Sequence, residues 1–261
     1  MNILIGTDPE LFAVDNKTGK FVSGHNMIPG TKELPHFVEC GAVQVDGVAC
    51  EFNTNPAETL GEFMGNIKTV RSILDKMVAE HGAHLVSVPT AVFDPEYFEQ
   101  LPEDVKLLGC MPDFNAYTGD ENTPPHTDEP FRTGGFHLHV GWDRYLDPMD
   151  PEHFNLCRDV IKQLDTVLFD TSKRWDNDDA RRKLYGNRGA FRPKTYGVEY
   201  RSLSNACLSD DEILEWIYVA STKAVGLLFE ENIHLWTDVE GEDTEWYLEK
   251  NFGIPRLTLQ E

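Results

Sequence analysis

The spacing of apolar residues along the chain predicts three long helices. From Asn55 to Gly82, apolar side chains recur every three or four positions, which is the period of one helix face. Asn55 can cap this helix, Pro56 suits its first position, and Gly82 can end it. The same period recurs over residues 151–173 and 210–231, and the last segment opens with acidic residues, as helix N-termini favour.

Elsewhere apolar and polar residues alternate, which predicts strands. The dipeptide Asp46-Gly47 lies between two alternating segments and is a strong hairpin signal. Residues 3–5, 136–142 and 196–203 are also predicted to be strands. Because helices and strands do not alternate in a regular order, we predict an α+β fold around a largely antiparallel sheet.

Polar side chains occupy alternate positions in four strand-like segments. The pairs are Asp8 with Glu10, Glu51 with Asn53, His137 with His139, and Glu199 with Arg201. Residues two apart in a strand point to the same face of the sheet. Two carboxylates 4 Å apart repel by about 4 kcal/mol at an effective dielectric constant of about 20, so convergence of these pairs would require a cation. Carboxylates with one or two imidazoles suit Mg²⁺ or Mn²⁺.

Each pair also has a structural explanation when it is taken alone. Asp8-Pro9-Glu10 is compatible with a turn, and the two histidines are compatible with a hydrogen-bonded pair on a sheet. Glu199 with Arg201 is compatible with a surface ion pair worth about 0–1 kcal/mol. Only the recurrence of the pattern in four segments indicates one shared site.

The composition is that of a folded protein. With 261 residues, of which 40% are hydrophobic, the chain can bury a core, and we predict a single domain over residues 1–261. Residues 102–130 are rich in Pro, Asp, Asn and Thr, which predicts a long loop or lid. The five cysteines include no CxxC pair, so neither a disulfide framework nor a thiolate zinc site is expected. No segment approaches the ~18 apolar residues of a membrane span, and the N-terminal apolar segment is too short for a signal peptide, which predicts a cytoplasmic protein.

The chain is strongly acidic, with 23 basic and 45 acidic residues and a net charge of −22. Such a field repels nucleic-acid phosphates and anionic lipids and attracts cations, so direct nucleic-acid binding is not expected. Seven of the 23 basic residues nevertheless lie within residues 181–201. They are Arg181, Arg182, Lys183, Arg188, Arg192, Lys194 and Arg201. This cluster indicates an anionic ligand such as a triphosphate with a carboxylate. The alternative is a surface patch that balances Asp176, Asp178 and Asp179.

Five short motifs resemble those of carboxylate–amine ligases built on the glutamine synthetase fold, a superfamily that includes glutamate–cysteine ligases. Within it, they are most similar to the small phage-encoded COOH–NH2 ligases (amidoligase type 2). The motifs extend from about residue 6 to residue 208, and they are specific in their order and combination. They are Gly6-Thr-Asp-Pro-Glu10, Ile28-Pro-Gly-Thr-Lys32, Asp46-Gly-Val-Ala-Cys-Glu-Phe-Asn53, Gly134-Gly-Phe-His-Leu-His-Val-Gly141 and Tyr196-Gly-Val-Glu-Tyr-Arg201.

The resemblance implies a curved antiparallel sheet that forms an open barrel with flanking helices. ATP would enter one end of the barrel, and the acid and amine substrates would enter the other. The implied activity is an ATP- and Mg²⁺- (or Mn²⁺-) dependent ligase that forms an amide or peptide bond through an acyl phosphate. Its substrates would be small-molecule or peptide carboxylates and amines.

The resemblance also implies roles for individual residues. The implied metal ligands are Asp8, Glu10, Glu51, His137 and Glu199. The implied nucleotide-binding residues are His139, Arg188, Arg192 and Lys194. Arg201 and Glu51 are the implied catalytic residues. We further expect Asn53 and Lys32 to contact substrate.

The chain departs from the family pattern in two places. Many relatives carry a second Glu seven residues before Glu51, where this chain has Gln44. In a two-residue-turn hairpin, Gln44 shares a face with Glu51 and Asp46 lies in the turn, so Asp46 replaces the lost ligand only if the hairpin is shorter or bulged. Asp8 stands where a Glu is usual, which shortens that ligand by one methylene.

Two other functions stay open from the sequence. A metal-dependent hydrolase would use His137, His139 and the carboxylates to activate water, and it would turn over without ATP. A non-enzymatic acidic protein would bind a basic host factor or imitate DNA. The basic cluster at residues 181–201 disfavours this last interpretation.

Overall fold

The structure is a computed structural model that describes residues 2–106, 113–123, 130–142, 146–238 and 244–259, without the side chains of residues 179, 180, 183 and 238. Its strands are β1 Leu4–Asp15, β2 Phe21–Val22, β3 His36–Val38, β4 Gly41–Asp46, β5 Ala49–Thr54, β6 Ala83–Val86, β7 Thr90–Val92, β8 Phe114–Asn115, β9 Phe131–Thr133, β10 Phe136–Gly141, β11 Ala190–Lys194 and β12 Gly197–Tyr200. Its α-helices are α1 Leu60–Ala79, α2 Pro95–Glu99, α3 Glu103–Lys106, α4 Pro151–Ser172, α5 Asp179–Leu184, α6 Asp211–Glu231, α7 Leu235–Asp238 and α8 Thr244–Phe252, and a 3₁₀ helix spans Asn205–Ser209.

Ten strands form one large sheet, in the order β3-β4-β5-β1-β10-β12-β11-β8, with β2 and β6 paired to β1 beside this path. Strands β7 and β9 form a separate two-stranded sheet. Neighbouring strands run antiparallel. The path does not return to its first strand, so the sheet is open at β3 and β8. The predicted α+β fold, with an open antiparallel sheet and flanking helices, is confirmed. The single domain stays a prediction.

Strand β1 organises the sheet because it pairs with a different neighbour along each part of its length. Residues 4–9 pair with β10, residues 10–11 with β5, and residues 12–15 with β6. The segment Asp8-Pro9-Glu10 therefore lies inside a strand and not in a turn, and this strand also includes most of the one predicted at residues 3–5. This long strand brings the chemistry of β10 and of the β4–β5 hairpin to one place.

The two faces of the central strands differ in character. Ile5, Leu138 and Tyr200 are buried in the main hydrophobic core, which also contains apolar residues of α1, α4 and α6. The residues next to them in the chain point to the opposite face. The helices thus cover one face and leave the other for polar side chains.

Two of the three predicted long helices agree closely with the structure, and one begins later. Helices α4 and α6 lie within a residue of the predicted bounds. Helix α1 is capped by Thr59 and not by Asn55, through a capping box in which Thr59 and Glu62 exchange side-chain hydrogen bonds with each other's backbone. The reason is tertiary: the backbone of Ala57 pairs with Ile5 of β1, which keeps the preceding segment extended.

The β4–β5 hairpin has a different register from the predicted one. Asp46 pairs with Ala49, so the turn consists of Gly47 and Val48, and Asp46 is the last residue of β4. Gly47 has φ of 57°, which tight hairpin turns require at their first central position. Gln44 lies directly opposite Glu51 in this register. Asp46, two residues further along β4, therefore shares their face.

Other predicted segments are shorter or are divided. The last predicted strand, residues 196–203, forms a strand only as β12, and Arg201 follows it directly. The predicted loop at residues 102–130 contains α3 and β8. Its residues 107–112, including Cys110, and 124–129 lie outside the described part of the chain. No described helix combines the length and apolar character that crossing a bilayer requires.

Candidate active site

A cavity of about 80 Å³ opens on the polar face of the sheet. Its walls come from β1, β5, β10 and β12, from the β4–β5 turn, and from the segments around Lys32, Arg132 and Tyr185. The ionisable side chains that line it are Asp8, Glu10, Lys32, Asp46, Glu51, Arg132, His137, Arg192, Glu199 and Arg201. All five predicted metal ligands are among them. We call this space the acidic cavity.

One group of potential ligands joins β1, β10 and β12. Asp8 of β1 pairs directly with His137 of β10. Glu199 lies on β12, which pairs with the other edge of β10. The Nδ1 atom of His137 lies 3.0 Å from Asp8 Oδ1 and 3.6 Å from Glu199 Oε1. Asp8, His137 and Glu199 each offer a ligand atom within 4.8 Å of the others.

A second group consists of carboxylates alone. Glu10 pairs directly with Glu51 across β1 and β5, and Asp46 joins them from the neighbouring strand β4. One oxygen from each of these three residues lies within 4.8 Å of the others. Gln44 is not part of this group, and its amide oxygen accepts a hydrogen bond from Asn53 Nδ2 at 3.1 Å.

The electrostatics of the second group favour a bound cation. Burial raises the pKa of Glu51 well above its usual value, and the negative charges of Asp8, Asp46 and Glu10 raise it further. Burial likewise raises the pKa of Glu10, although His137 opposes this effect. Carboxylates with raised pKa values are held close together against their repulsion. A divalent cation would remove that repulsion.

In the first group, which contains Asp8, His137 and Glu199, the pKa values of the carboxylates are lowered instead. Burial raises the pKa of Asp8, but His139 and His137 lower it more, so the net pKa lies below its usual value. Burial also acts to raise the pKa of Glu199, but Arg201, Lys194 and His137 bring it well below the usual value. Both carboxylates are therefore anionic in this site.

Three basic side chains converge on Glu199. Lys194 Nζ lies 2.6 Å from Glu199 Oε2, and Arg192 Nη1 lies 3.3 Å from Oε1. Arg201 donates to the same carboxylate through Nη1 and to Asp113 Oδ2 through Nε at 3.0 Å. One buried carboxylate thus faces three cations. This arrangement leaves positive charge at one side of the acidic cavity.

The donor atoms of the first group fit a divalent cation. Asp8 Oδ1 is buried and lies 3.0 Å and 3.1 Å from nitrogens of His137 and His139. Carboxylate oxygens and an imidazole nitrogen that converge in this way are suitable ligands for such a cation. The residues present therefore fit Mg²⁺ or Mn²⁺.

A second, larger cavity adjoins the acidic cavity. Its volume is about 510 Å³, and its lining is mainly apolar, with Pro56, Trp142 and Tyr196 among the residues. His139 lines it, and its Nδ1 atom is hydrogen-bonded to the Tyr196 hydroxyl. Because His139 Nε2 lies 3.1 Å from Asp8 Oδ1, these two residues mark the boundary between the cavities.

The structure separates the two residues that were expected to contact substrate. Lys32 lines the acidic cavity, where its Nζ lies 3.0 Å from Asp46 Oδ2. Asn53 lines the larger cavity instead. A substrate in the acidic cavity would meet Lys32, whereas Asn53 would meet whatever occupies the larger cavity.

The predicted basic cluster divides into separate groups. Arg192, Lys194 and Arg201 surround Glu199, as described above. Arg181 and Arg182 are buried and lie 3.8 Å and 3.4 Å from Asp176 Oδ2, which agrees in part with the alternative of charge balance. The side chain of Lys183 is outside the described residues.

Arg188 is not among the residues that line the two cavities. It pairs with Asp170 of α4, and its guanidinium carbon lies 4.5 Å from the ring centre of Phe169. This position is on the helix side of the sheet. The expectation that Arg188 contacts nucleotide therefore has no support from its surroundings.

Sequence reasoning missed or misplaced several residues of the site, among them Asp46, Tyr185 and Asp113. Asp46 was assigned to the turn, and only the hairpin register corrects this. Tyr185 lies in the basic segment, and its hydroxyl contacts both His137 and Arg201. Asp113 comes from the predicted loop and binds Arg201. Tyr185 and Asp113 carry no periodic signal, because both lie outside the strands of the pattern.

Comparison with known proteins gives structural similarities alone. No family model matches the chain, and no curated protein matches it. A solved structure described as a novel glutamine synthase homolog is 11% identical, with a TM-score of 0.49 over 97% of this chain and 62% of that chain. Glutamine synthetase of Plasmodium falciparum is 12% identical, with a TM-score of 0.40 over 86% of this chain and 51% of that chain. GmaS in complex with ADP is 11% identical, with a TM-score of 0.38 over 95% of this chain and 59% of that chain. The chain thus spans about half to three fifths of the length of these proteins.

Proposed function

We propose that the chain is an ATP-dependent carboxylate–amine ligase of the amidoligase type, which uses Mg²⁺ or Mn²⁺ and forms an amide or peptide bond through an acyl phosphate. One observation carries this proposal: the acidic cavity brings a group of three carboxylates together with two guanidinium groups. Glu10, Asp46 and Glu51 supply the carboxylates. Arg192 and Arg201 supply the guanidinium groups.

A cavity that combines these groups suits a divalent cation bound next to phosphate. The carboxylates neutralise the cation, and the basic side chains supply positive charge to the phosphate oxygens. Asp8, His137 and Glu199 are proposed to hold one cation, and Glu10, Asp46 and Glu51 a second. When bound, these ions would offset the negative charge of the triphosphate.

The larger cavity is proposed to hold the nucleoside of ATP. Its volume of about 510 Å³ lies within the range of about 300–1,000 Å³ that is typical of small-molecule sites. Trp142 and Tyr196 offer aromatic surface for a base. His139 lies at the boundary, so a triphosphate that passes it would reach Arg192 and Arg201.

In the proposed reaction, a carboxylate oxygen of the acid substrate attacks the γ-phosphorus of ATP. The bond from this phosphorus to the bridging oxygen breaks, ADP leaves, and an acyl phosphate is formed. Arg201 and Arg192 neutralise the charge on the transferred phosphoryl group. The amine then attacks the acyl carbon and phosphate leaves. The nitrogen loses a proton to Glu51, which is the catalytic role that we propose for this carboxylate.

The proposal is tested by calorimetric titration of ATP into the purified protein, with and without Mg²⁺. We expect Mg²⁺-dependent binding that Glu51→Gln and Glu199→Gln both abolish. The matched control is Glu99→Gln, because Glu99 is exposed and lies outside both cavities. Absence of binding at millimolar ATP, or binding that survives both variants, would contradict the proposed site.

The two rival functions give different results in a following experiment. A ligase releases ADP only when a suitable acid is present, and mass spectrometry detects the product in which water has been lost between acid and amine. A metal-dependent hydrolase would turn over without ATP. A non-enzymatic acidic protein would show neither reaction.

A further inference from the structure

Tyr185 reaches the acidic cavity from outside the strands that supply its other polar groups. It follows helix α5, and its backbone N–H donates to Arg181 O at 2.7 Å. Two guanidinium groups lie near its ring: the guanidinium carbons of Arg201 and Arg181 are 5.1 Å and 5.9 Å from the ring centre. These contacts hold the ring and direct the hydroxyl to the cavity, which Tyr185 lines.

The hydroxyl of Tyr185 contacts one nitrogen of His137. Tyr185 Oη lies 2.8 Å from Nε2, whereas the other nitrogen, Nδ1, faces Asp8 and Glu199. A neutral imidazole carries its proton on one nitrogen and a lone pair on the other. A cation among Asp8, His137 and Glu199 would need the lone pair on Nδ1, which requires the proton on Nε2.

The positions of the two nitrogens agree with this requirement. Nδ1 lies 3.0 Å from Asp8 Oδ1 and 3.6 Å from Glu199 Oε1, the two carboxylates that would share the cation. Nε2 faces the Tyr185 oxygen, which can accept its proton.

The same oxygen also accepts from Arg201. Arg201 Nη2 donates to Tyr185, Nη1 donates to Glu199, and Nε donates to Asp113. The Tyr185 hydroxyl therefore contacts both His137, a proposed metal ligand, and Arg201, the proposed phosphate-binding arginine. Glu199 also contacts both side chains, but on the Nδ1 side of His137.

We propose that Tyr185 is a positioning residue, which holds His137 with its proton on Nε2 and its Nδ1 lone pair towards the cation, and which keeps Arg201 beside it. Partners of this kind orient metal-binding histidines, and their removal typically weakens metal binding about 10- to 100-fold. This inference rests on the proposed function, because it assumes a cation held by Asp8, His137 and Glu199. It adds a residue that the strand pattern does not contain.

The test compares the wild type with Tyr185→Phe, which removes the hydroxyl and keeps the ring near the two guanidinium groups. Tyr97→Phe is the matched control, because its hydroxyl accepts a hydrogen bond from Ser23 N outside both cavities. The first measurement is the protonation of His137 in metal-free protein labelled with ¹⁵N-histidine, with the signal assigned from His137→Gln. We expect Nε2–H in the wild type and in Tyr97→Phe. In Tyr185→Phe we expect a population with Nδ1–H, which then donates to Asp8.

The second measurement is Mn²⁺ binding followed by electron paramagnetic resonance, without nucleotide. We expect Tyr185→Phe to weaken one Mn²⁺ site about 10- to 100-fold, and Tyr97→Phe to leave it unchanged. Nδ1–H in the wild type would overturn the inference directly, as would Mn²⁺ affinity within twofold of wild type in Tyr185→Phe. If the wild type and Tyr185→Phe bind Mn²⁺ equally well, the role of Tyr185 is refuted and the proposed function is not affected. A wild type that binds no Mn²⁺ overturns the proposed function as well.

Discussion

Glu10 and Glu51 lie directly opposite each other in strands β1 and β5, with their carboxyl groups in the same cavity. Like charges at opposed positions of neighbouring strands destabilise a sheet. The raised pKa of Glu51, caused first by burial and then by nearby carboxylates, has the same origin. The fold therefore maintains an unfavourable pair at its centre.

From this pair we predict that Glu51→Gln stabilises the metal-free protein at pH 8. Removal of one negative charge should raise the free energy of unfolding by ~1 kcal/mol and the midpoint by about 2–4 °C. With Mn²⁺ added, the wild type should become more stable than Glu51→Gln, because a cation that binds the folded state stabilises the wild type more than the variant. Differential scanning calorimetry with chelator or Mn²⁺ measures both effects, and Glu99→Gln should change neither. A Glu51→Gln protein that is less stable without metal would contradict the argument.

Asp165 predicts a pH dependence of stability. This fully buried residue of α4 accepts a hydrogen bond from the Tyr200 hydroxyl at 2.8 Å, and burial raises its pKa from 3.8 to about 7. Between these values the folded state keeps a proton that the unfolded state has lost. The contribution of Asp165 is therefore fully present below pH 4 and is lost as the pH rises to 7, by about 1.4 kcal/mol for each pKa unit.

The variant Asp165→Asn isolates this effect, because its amide oxygen can still accept from Tyr200. Urea unfolding from pH 4 to pH 8 should show the wild type losing up to ~4 kcal/mol relative to the variant. The opposite contributions of Asp8 and Glu199, whose pKa values are lowered, are common to both proteins and cancel in the difference. Parallel stability curves would show that Asp165 does not titrate in this range.

Gly30 is predicted to be essential for the segment that carries Lys32. It has φ of 87°, and a Cβ atom there would lie 2.5 Å from Val43 O and 2.7 Å from His36 N. Gly30→Ala should therefore cost more than ~1 kcal/mol of stability and disturb the pair of Lys32 with Asp46. Gly65→Ala is the control, for which we expect the opposite effect. Gly65 lies within α1, and a Cβ atom there would have no atom within 4 Å, so the variant should be more stable by about 0.5–1 kcal/mol. Urea unfolding that ranks both variants equally would refute this prediction.

Arg201→Lys should weaken the binding of Mg-ATP at least ~10-fold. Arginine reaches Glu199, Tyr185 and Asp113 through its three nitrogens, and lysine has a single nitrogen with which to replace them. Charge-assisted hydrogen bonds are worth about 1.5–3 kcal/mol each, which corresponds to about tenfold or more in affinity. Calorimetry provides the measurement, with Arg71→Lys on α1 as the control. Affinity retained within twofold would remove Arg201 from the proposed phosphate site.

Much of the site was visible in the sequence because strand periodicity is local. Asp8, Glu10, Glu51, His137 and Glu199 share the polar face of their strands, and all five line one cavity. Periodicity assigns a face, but it does not assign neighbours. That His137 lies opposite Asp8 and Glu10 opposite Glu51 depends on register, which long-range pairing sets.

The sequence by itself determined the helices at residues 151–173 and 210–231, the α+β class and the residues of the polar face, because these follow from spacing along the chain. Only the tertiary structure decided that Asp46 leaves the turn for the cavity and that α1 begins at Leu60. It also decided that Arg188 lies against α4 while Arg201 lies beside Tyr185. Residues with the same charge within one segment differ in role, because their surroundings come from distant parts of the chain.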